Sequence, residues 1–242
     1  PPAAPEVVPG DPVAAGPPAP GRGAAKGRRR RVAGIAAGAV ALTAALAGGW
    51  WTLRAGLGAT PLPYRADFAD SWSVGASDGG RSELDGGSYV LTANAGWRLW
   101  KSAPFSGEPA DGIVISSRTR LEEGSGEFGV WCRGDTGTGD RYEFAVNGSG
   151  EASIIKRHGG RSTVLKGPVR VTKSAESRLV AQCGRRGEDV ALSMWLDDDL
   201  VCEAADTRAP YGPGAAGVFA APDAAGPVRV RFRTFELRAA KG

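Results

Sequence analysis

A chain of 242 residues with a formal charge of +4 and a sequence pI near 9.2 reads as basic, but the charge is not evenly spread. Residues 1–31 carry six Lys/Arg against Glu6 and Asp11, whereas residues 55–242 carry 23 Lys/Arg against 24 Asp/Glu. The larger C-terminal part thus lacks the overall electrostatic footprint of a nucleic-acid binder, and three cysteines without a CxxC spacing argue against a zinc site.

Residues 1–31 are rich in Pro and Ala and hold too few large apolar side chains to offset the entropy of ordering a backbone. They are expected to form a disordered cytoplasmic tail with polyproline II character, a spacer rather than a docking peptide. The run 32–53, VAGIAAGAVALTAALAGGWWTL, contains no charged residue. As a helix it spans roughly 33 Å, against about 30 Å of hydrocarbon, so a transmembrane helix is expected there. Arg28 to Arg31 precede the run and only Arg54 follows it closely, which keeps the N-terminus cytoplasmic and sends the C-terminal part outside. Trp50 and Trp51 sit at the far end, at headgroup level. A cleaved signal peptide is the rival reading, with Ala45-Leu46-Ala47 as its cleavage site. The long Pro-rich leader and the apolar continuation to Leu53 favour the anchor. Gly34 and Gly38 form a GxxxG spacing of the kind that lets helices pair, though in so Ala/Gly-rich a run it arises easily by chance. The chain begins with Pro rather than Met, which leaves room for an upstream segment.

After a linker over 54–63 the helical pattern stops. Short runs of alternating apolar and polar residues follow, separated by Gly, Pro, Asn and Asp clusters, as antiparallel sheets require. Strands are predicted at 89–93, 113–121, 127–133, 141–147, 152–157, 178–183, 190–196, 200–204, 217–220 and 228–237. Region 64–240 is therefore expected to be one extracytoplasmic β-sandwich. Alternation puts Phe128, Val130 and Cys132 inside with Tyr142, Phe144 and Val146. Leu179, Ala181 and Cys183 share a side, as do Val190, Leu192, Met194 and Leu196. In the last strand Val228, Val230 and Phe232 have one parity and Phe235 and Leu237 the other, so a bulge is expected near Thr234. Cys132 and Cys183 both point inward near strand ends, which makes them the preferred disulfide and leaves Cys202 unpaired; sequence alone does not fix the connectivity.

The segments FADSW, EFGVWCR, YEFAVNGSGEASIIKR, RLVAQCG, ALSMWLDD and RVRFRTFEL together resemble the concanavalin A-like (laminin-G-like) jelly roll. The likeness covers about residues 64–238, and it extends to extracytoplasmic modules of actinobacterial membrane proteins, some attached to receptor-type Ser/Thr kinases. The Ala, Gly and Arg abundance is similar in character. The resemblance implies an all-β sandwich of two antiparallel sheets whose concave face often binds glycans. No kinase segment is present in the sequence.

Catalytic constellations fail one by one. Family 16-type glycosidases use an ExDxxE strand, which Glu122, Glu123 and Glu127 do not reproduce. Asp135-Thr136-Gly137 spells an aspartic-protease triplet, but it lies in a Gly-rich hairpin connection. His158, the only histidine, precedes two glycines and reads as an exposed turn. Asp197, Asp198 and Asp199 read as an acidic turn rather than a calcium loop, so no metal and no cofactor is expected. Asn147-Gly148 reads as a turn.

The outward parity carries the binding signal. Arg118, Arg120, Trp131, Arg133, Glu143 and Trp195 all point away from the core, and an indole among Arg and Glu side chains suits stacking on a sugar ring. Trp72, Trp97 and Trp100 are expected to pack in the core or at an edge. The sequence is thus read as a non-enzymatic, membrane-anchored module that recognises a cell-envelope glycan; the alternative is an accessory module for protein contacts at the cell surface. No nucleic-acid partner is expected.

Overall fold

The computed structural model describes residues 61–68, 72–172, 174–223 and 225–240. The expected tail at 1–31, the apolar run at 32–53 and most of the linker lie outside the described residues. Among the described residues no helix is long and apolar enough to cross a membrane. Fifteen strands follow in order. They are β1 (Tyr64–Arg65), β2 (Gly75–Ser77), β3 (Gly80–Asp85), β4 (Ser88–Ala93) and β5 (Leu99–Ser102). Next come β6 (Gly112–Glu123), β7 (Gly126–Gly134), β8 (Arg141–Asn147), β9 (Glu151–His158) and β10 (Arg161–Arg170). The set closes with β11 (Ser177–Arg186), β12 (Asp189–Leu196), β13 (Asp199–Asp206), β14 (Ala215–Pro222) and β15 (Val228–Ala239).

Two antiparallel sheets enclose the core. A nine-stranded sheet runs β13-β12-β11-β6-β15-β4-β3-β2, with β1 also pairing on β15, and a six-stranded sheet runs β10-β9-β8-β7-β14-β5. The chain passes repeatedly between them: β4 to β5, β5 to β6, β6 to β7, β10 to β11, β13 to β14 and β14 to β15. That exchange is jelly-roll connectivity. All ten strands expected from alternation are present.

The register follows from the alternation. Phe128, Val130 and Cys132 stand directly opposite Val146, Phe144 and Tyr142, and all six are buried. Leu179, Ala181 and Cys183 oppose Leu196, Met194 and Leu192, again all buried. The expected irregularity in the last strand lies between Phe232 and Thr234. It returns Phe235 and Leu237 to the inner face beside Val228, Val230 and Phe232, where all are at most 1% exposed. Cys132 on β7 and Cys183 on β11 form a disulfide that ties one sheet to the other, and Cys202 is a free, buried thiol. Phe68, Trp72, Tyr89 and Phe235 pack as one aromatic group, with Trp72 Nε1 donating to the Tyr64 hydroxyl at 2.8 Å. Phe68 and Trp72, ahead of β2, are anchored in this way to the core.

The edge strand β10 carries Gly167-Pro168 and two register shifts against β9. A proline on an edge costs no ladder bond and blunts pairing with another chain.

Candidate functional site

A sandwich has two outer faces, and the six expected ligand-binding residues divide between them. Trp131, Arg133 and Glu143 lie on β7 and β8 of the six-stranded sheet. Arg118, Arg120 and Trp195 lie on β6 and β12 of the nine-stranded sheet. The single site expected from outward parity is therefore not assembled.

The six-stranded side is sealed by its own side chains. Trp131 is 0% exposed, its Nε1 donates to the Val218 carbonyl at 3.1 Å, and Trp100 meets its ring edge-on at 5.7 Å. The ring lies down over glycines: a Cβ on Gly134 would stand 2.2 Å from the indole, and one on Gly217 2.9 Å. No ligand can stack there, which corrects the expectation for Trp131. Glu143 is also 0% exposed. Its Oε1 accepts from Arg141 Nε at 2.9 Å, and its Oε2 from Arg98 Nη1 at 2.9 Å and Arg157 Nε at 3.2 Å. Arg98 also pairs with Glu127 and lies over the Phe219 ring at 5.0 Å, while Arg141 lies over Trp100 at 4.9 Å. Three guanidinium groups thus saturate one buried carboxylate, a structural network that would be costly to break. Arg133 leaves the face altogether. With φ of 50° it turns to the end of the sandwich, where it is buried and donates from Nε to Glu108 at 3.0 Å and from Nη1 to the Tyr211 carbonyl at 2.8 Å.

The nine-stranded side is open. A groove of about 350 Å³ is lined by Val114, Arg178, Val180, Gln182, Trp195, Asp198 and Arg238. A second hollow of about 260 Å³ shares Val114, Arg178 and Arg238 and continues to Arg65, Ser116 and Glu236. Val114 on β6 and Val180 on β11 form an apolar floor, and the half-buried Trp195 on β12 forms a wall in register with Val180. Gln182 stands opposite Val114, and Arg238 on β15 opposite the other side of Val114. The acidic turn holds one rim. Asp197 and Asp198 adopt φ of 51° and 74°, as a tight hairpin turn demands. The Asp197 Oδ1 accepts from the Arg178 backbone N–H at 2.7 Å, and Asp198 pairs with the Arg178 guanidinium at 2.5 Å. Gln182, Arg178 and Arg238 escaped the sequence reading because only strand order brings them beside Trp195. Their shared outward parity was the available signal.

The end of the sandwich gathers residues that alternation did not single out. The segment between β13 and β14 crosses from one sheet to the other and is clasped from both sides. Lys156 Nζ donates to Asp206 at 2.5 Å and to the carbonyls of Arg208 and Ala209. The Tyr142 hydroxyl donates to Asp206 at 2.6 Å and accepts from the Tyr211 N–H at 3.0 Å. Burial alone would raise the Asp206 pKa, but the hydrogen bonds from Lys156 and Tyr142 outweigh it and hold the carboxyl below its ordinary range. On the other side Glu108 accepts from Arg133 and from the Gly214 N–H at 3.3 Å. Burial pushes its carboxyl up to about 7, against the opposing pull of Arg133. A hollow of about 550 Å³ lies beside this clasp, bounded by Lys156, His158, Leu165 and Tyr211. His158 is exposed and its Nδ1 lies 2.7 Å from Asp140, and Asp135 Oδ1 accepts from the N–H groups of Gly137 and Thr138 to close the Gly-rich hairpin. Trp72 is in the core and Trp100 packs on Trp131, as expected, and Trp97, 52% exposed in the β4–β5 connection, lies at an edge against Gly79 of the β2–β3 hairpin.

No family model matches the chain, and no curated protein matches it in sequence. Solved structures do match its fold. One is a protein of unknown function with a galectin-like fold from Bacillus subtilis, 16% identical over 72% of this chain and 94% of that one, with a TM-score of 0.52. Another is the cellulose-induced protein Cip1, 16% identical over 74% of this chain and 100% of that one, with a TM-score of 0.51. A third is a xylan β-1,4-xylosidase from Bacillus halodurans C-125, 12% identical over 73% of this chain, with a TM-score of 0.50. This chain spans only 39% of that xylosidase. At such identities the likeness is one of fold: a two-sheet jelly-roll sandwich, consistent with the concanavalin A-like architecture.

Proposed function

We propose that this chain is a non-enzymatic, membrane-anchored module on the outside of the cell that recognises a cell-envelope glycan through the Trp195 groove. One observation carries the reading: a half-buried indole walls a groove of about 350 Å³ with an apolar floor and the planar polar groups of Gln182, Arg178 and Arg238 at its margin. An indole face takes the C–H side of a sugar ring, while amide and guanidinium groups bond its hydroxyls. Two carboxylates of the acidic cluster nearest to a glycosidase pattern are engaged in ion pairs on different sheets. Glu122 on β6 is held by Arg229 and Arg231, and Glu127, on the other sheet, by Arg98. A retaining pair needs two carboxyl groups about 5 Å apart facing one open site. Residues 32–53 serve as the anchor, residues 1–31 stay in the cytoplasm, and the Cys132–Cys183 bridge suits an oxidising compartment. The Ala, Gly and Arg content fits an actinobacterial envelope.

The test is co-sedimentation of the full-length protein, in mild detergent, with purified cell walls and insoluble polysaccharides. Trp195→Ala is expected to weaken retention by about thirtyfold while circular dichroism stays unchanged. Undiminished retention by this variant would place the site elsewhere, and no retention by folded wild type would overturn the glycan reading. A second reading, a module for protein contacts, draws on Trp97, whose ring is 52% exposed and packs against Gly79. Crosslinking in cells that yields a specific partner, lost in Trp97→Ala and kept in Trp195→Ala, would favour it.

A further inference from the structure

We propose that the ligand of the Trp195 groove is an anionic polysaccharide, one bearing carboxylate or phosphodiester groups along its chain. The proposal rests on the binding reading above and names the chemistry of the same face. Its basis is a set of arginines that the sheet places against one another. The β6–β11 register sets Arg118 opposite Arg178, and the β6–β15 register sets Arg120 opposite Arg231. Like charges directly opposite on one sheet face destabilise the pairing, so a fold gains nothing from this arrangement by itself.

The partners divide unevenly. Asp198 answers Arg178, Glu122 and Asp85 answer Arg231, and Glu236 answers Arg65. Among the described residues no carboxylate forms an ion pair with Arg118, Arg120 or Arg238, and all three are exposed. Arg238 stands opposite Val114, and outward positions from Val114 to Arg120 extend along β6 for about 20 Å. Three guanidinium groups without an ion pair, Arg238 at the groove and Arg118 and Arg120 along β6, therefore share this face, with Glu236, held by Arg65, between the first two. Their planar forks suit carboxylate and phosphate oxygens. The excess is local, since residues 55–242 as a whole are close to neutral. A single indole beside Gln182 on a valine floor suits a sugar ring; it is not the series of aromatics on which successive nucleic-acid bases stack.

Binding of the full-length protein in detergent to four probes tests this: polygalacturonate, poly(glycerol phosphate), a neutral galactan and an oligothymidylate. Tight binding to either anionic glycan, weakening steadily with added salt, is expected. The two anionic arms distinguish carboxylate from phosphate as the recognised group. The Arg118→Gln/Arg238→Gln double variant should lose about tenfold in affinity for the anionic glycan, and exposed unpaired positions leave its fold intact. Trp195→Ala should lose binding as well. Binding of the neutral galactan alone, insensitive to salt and to the double variant, would overturn the anionic ligand and leave the glycan reading standing. Oligothymidylate bound as tightly as the anionic glycans would make the face a general polyanion surface and overturn the proposal. No binding of any probe by folded protein would count against both.

Discussion

Burial of an outward-pointing indole depends on its neighbours across the sheet. Trp131 has Gly217 beside it in register, and that missing side chain lets the ring lie flat toward Trp100. Trp195 has Val180 on one side and Leu200 on the other, and its ring remains at the wall of an open groove. The two tryptophans should therefore respond oppositely to truncation. Trp131→Ala removes a fully buried ring and its bond to Val218, and is expected to lower unfolding stability by about 3–5 kcal/mol. In Trp195→Ala the loss should stay within about 1 kcal/mol. Denaturant unfolding of both variants checks this, and equal stabilities would contradict the burial assigned to Trp131. Strand parity distinguishes inward from outward for both residues. It does not say which sheet a strand joins or what covers its outer face, because Trp100 and Trp131 meet only through β14, far from both in the chain.

At the scale of elements, the crossing segment between β13 and β14 shows how one loop is fixed by two charge networks. Glu108 has an ordinary pKa of 4.5 and is pushed up to about 7 in the fold, first by burial, with Arg133 pulling the other way. Between those two values the folded chain holds a proton that the unfolded chain has released. Stability therefore falls as pH rises from about 4.5 to about 7, by on the order of 3 kcal/mol, and the loss is complete above that window. Asp206 and Glu122, whose values are lowered, act with the opposite sign and on the acidic side. Unfolding measured from about pH 5 to about pH 8 should show this decline in wild type and a flatter course in Glu108→Gln; parallel courses would refute it. No sequence signal marked Glu108, which lies in a loop and meets Arg133 only after the sandwich closes. Strands with strict alternation were legible in full, as β8 shows. β3, reading GRSELD, has one large apolar residue, and β10 hides its alternation around Gly167-Pro168 at an exposed edge. β1, β2 and β5 are four residues or shorter, too brief for a period to register.

For the whole molecule, the disulfide and the apolar run bear on one question, the compartment in which the sandwich works. Cys132–Cys183 joins the two sheets and is fully buried, while Cys202 is buried and unpaired. A cytosolic chain would keep all three thiols reduced; a translocated one would keep only Cys202. Protein isolated from its native host under denaturing, non-reducing conditions should therefore take up one maleimide per chain, and three after reduction. The same preparation reports on the anchor. With residues 32–53 spanning the bilayer, the intact chain should stay with membranes through alkaline carbonate extraction. External protease should then digest the sandwich and leave residues 1–31 protected. Leu42→Arg places a charge near the centre of the run, at an insertion cost of about 3 kcal/mol. It should release the chain from the membrane and, by leaving the sandwich in the cytosol, raise maleimide uptake to three without reduction. A soluble wild-type chain lacking the residues up to Ala47, with one free thiol, would identify the run as a cleaved signal. Three free thiols in a membrane-free wild type would place the sandwich inside the cell and remove the basis for an envelope ligand. The thiol count and the membrane fraction thus vary independently, and together they separate anchored, secreted and cytosolic forms of one fold.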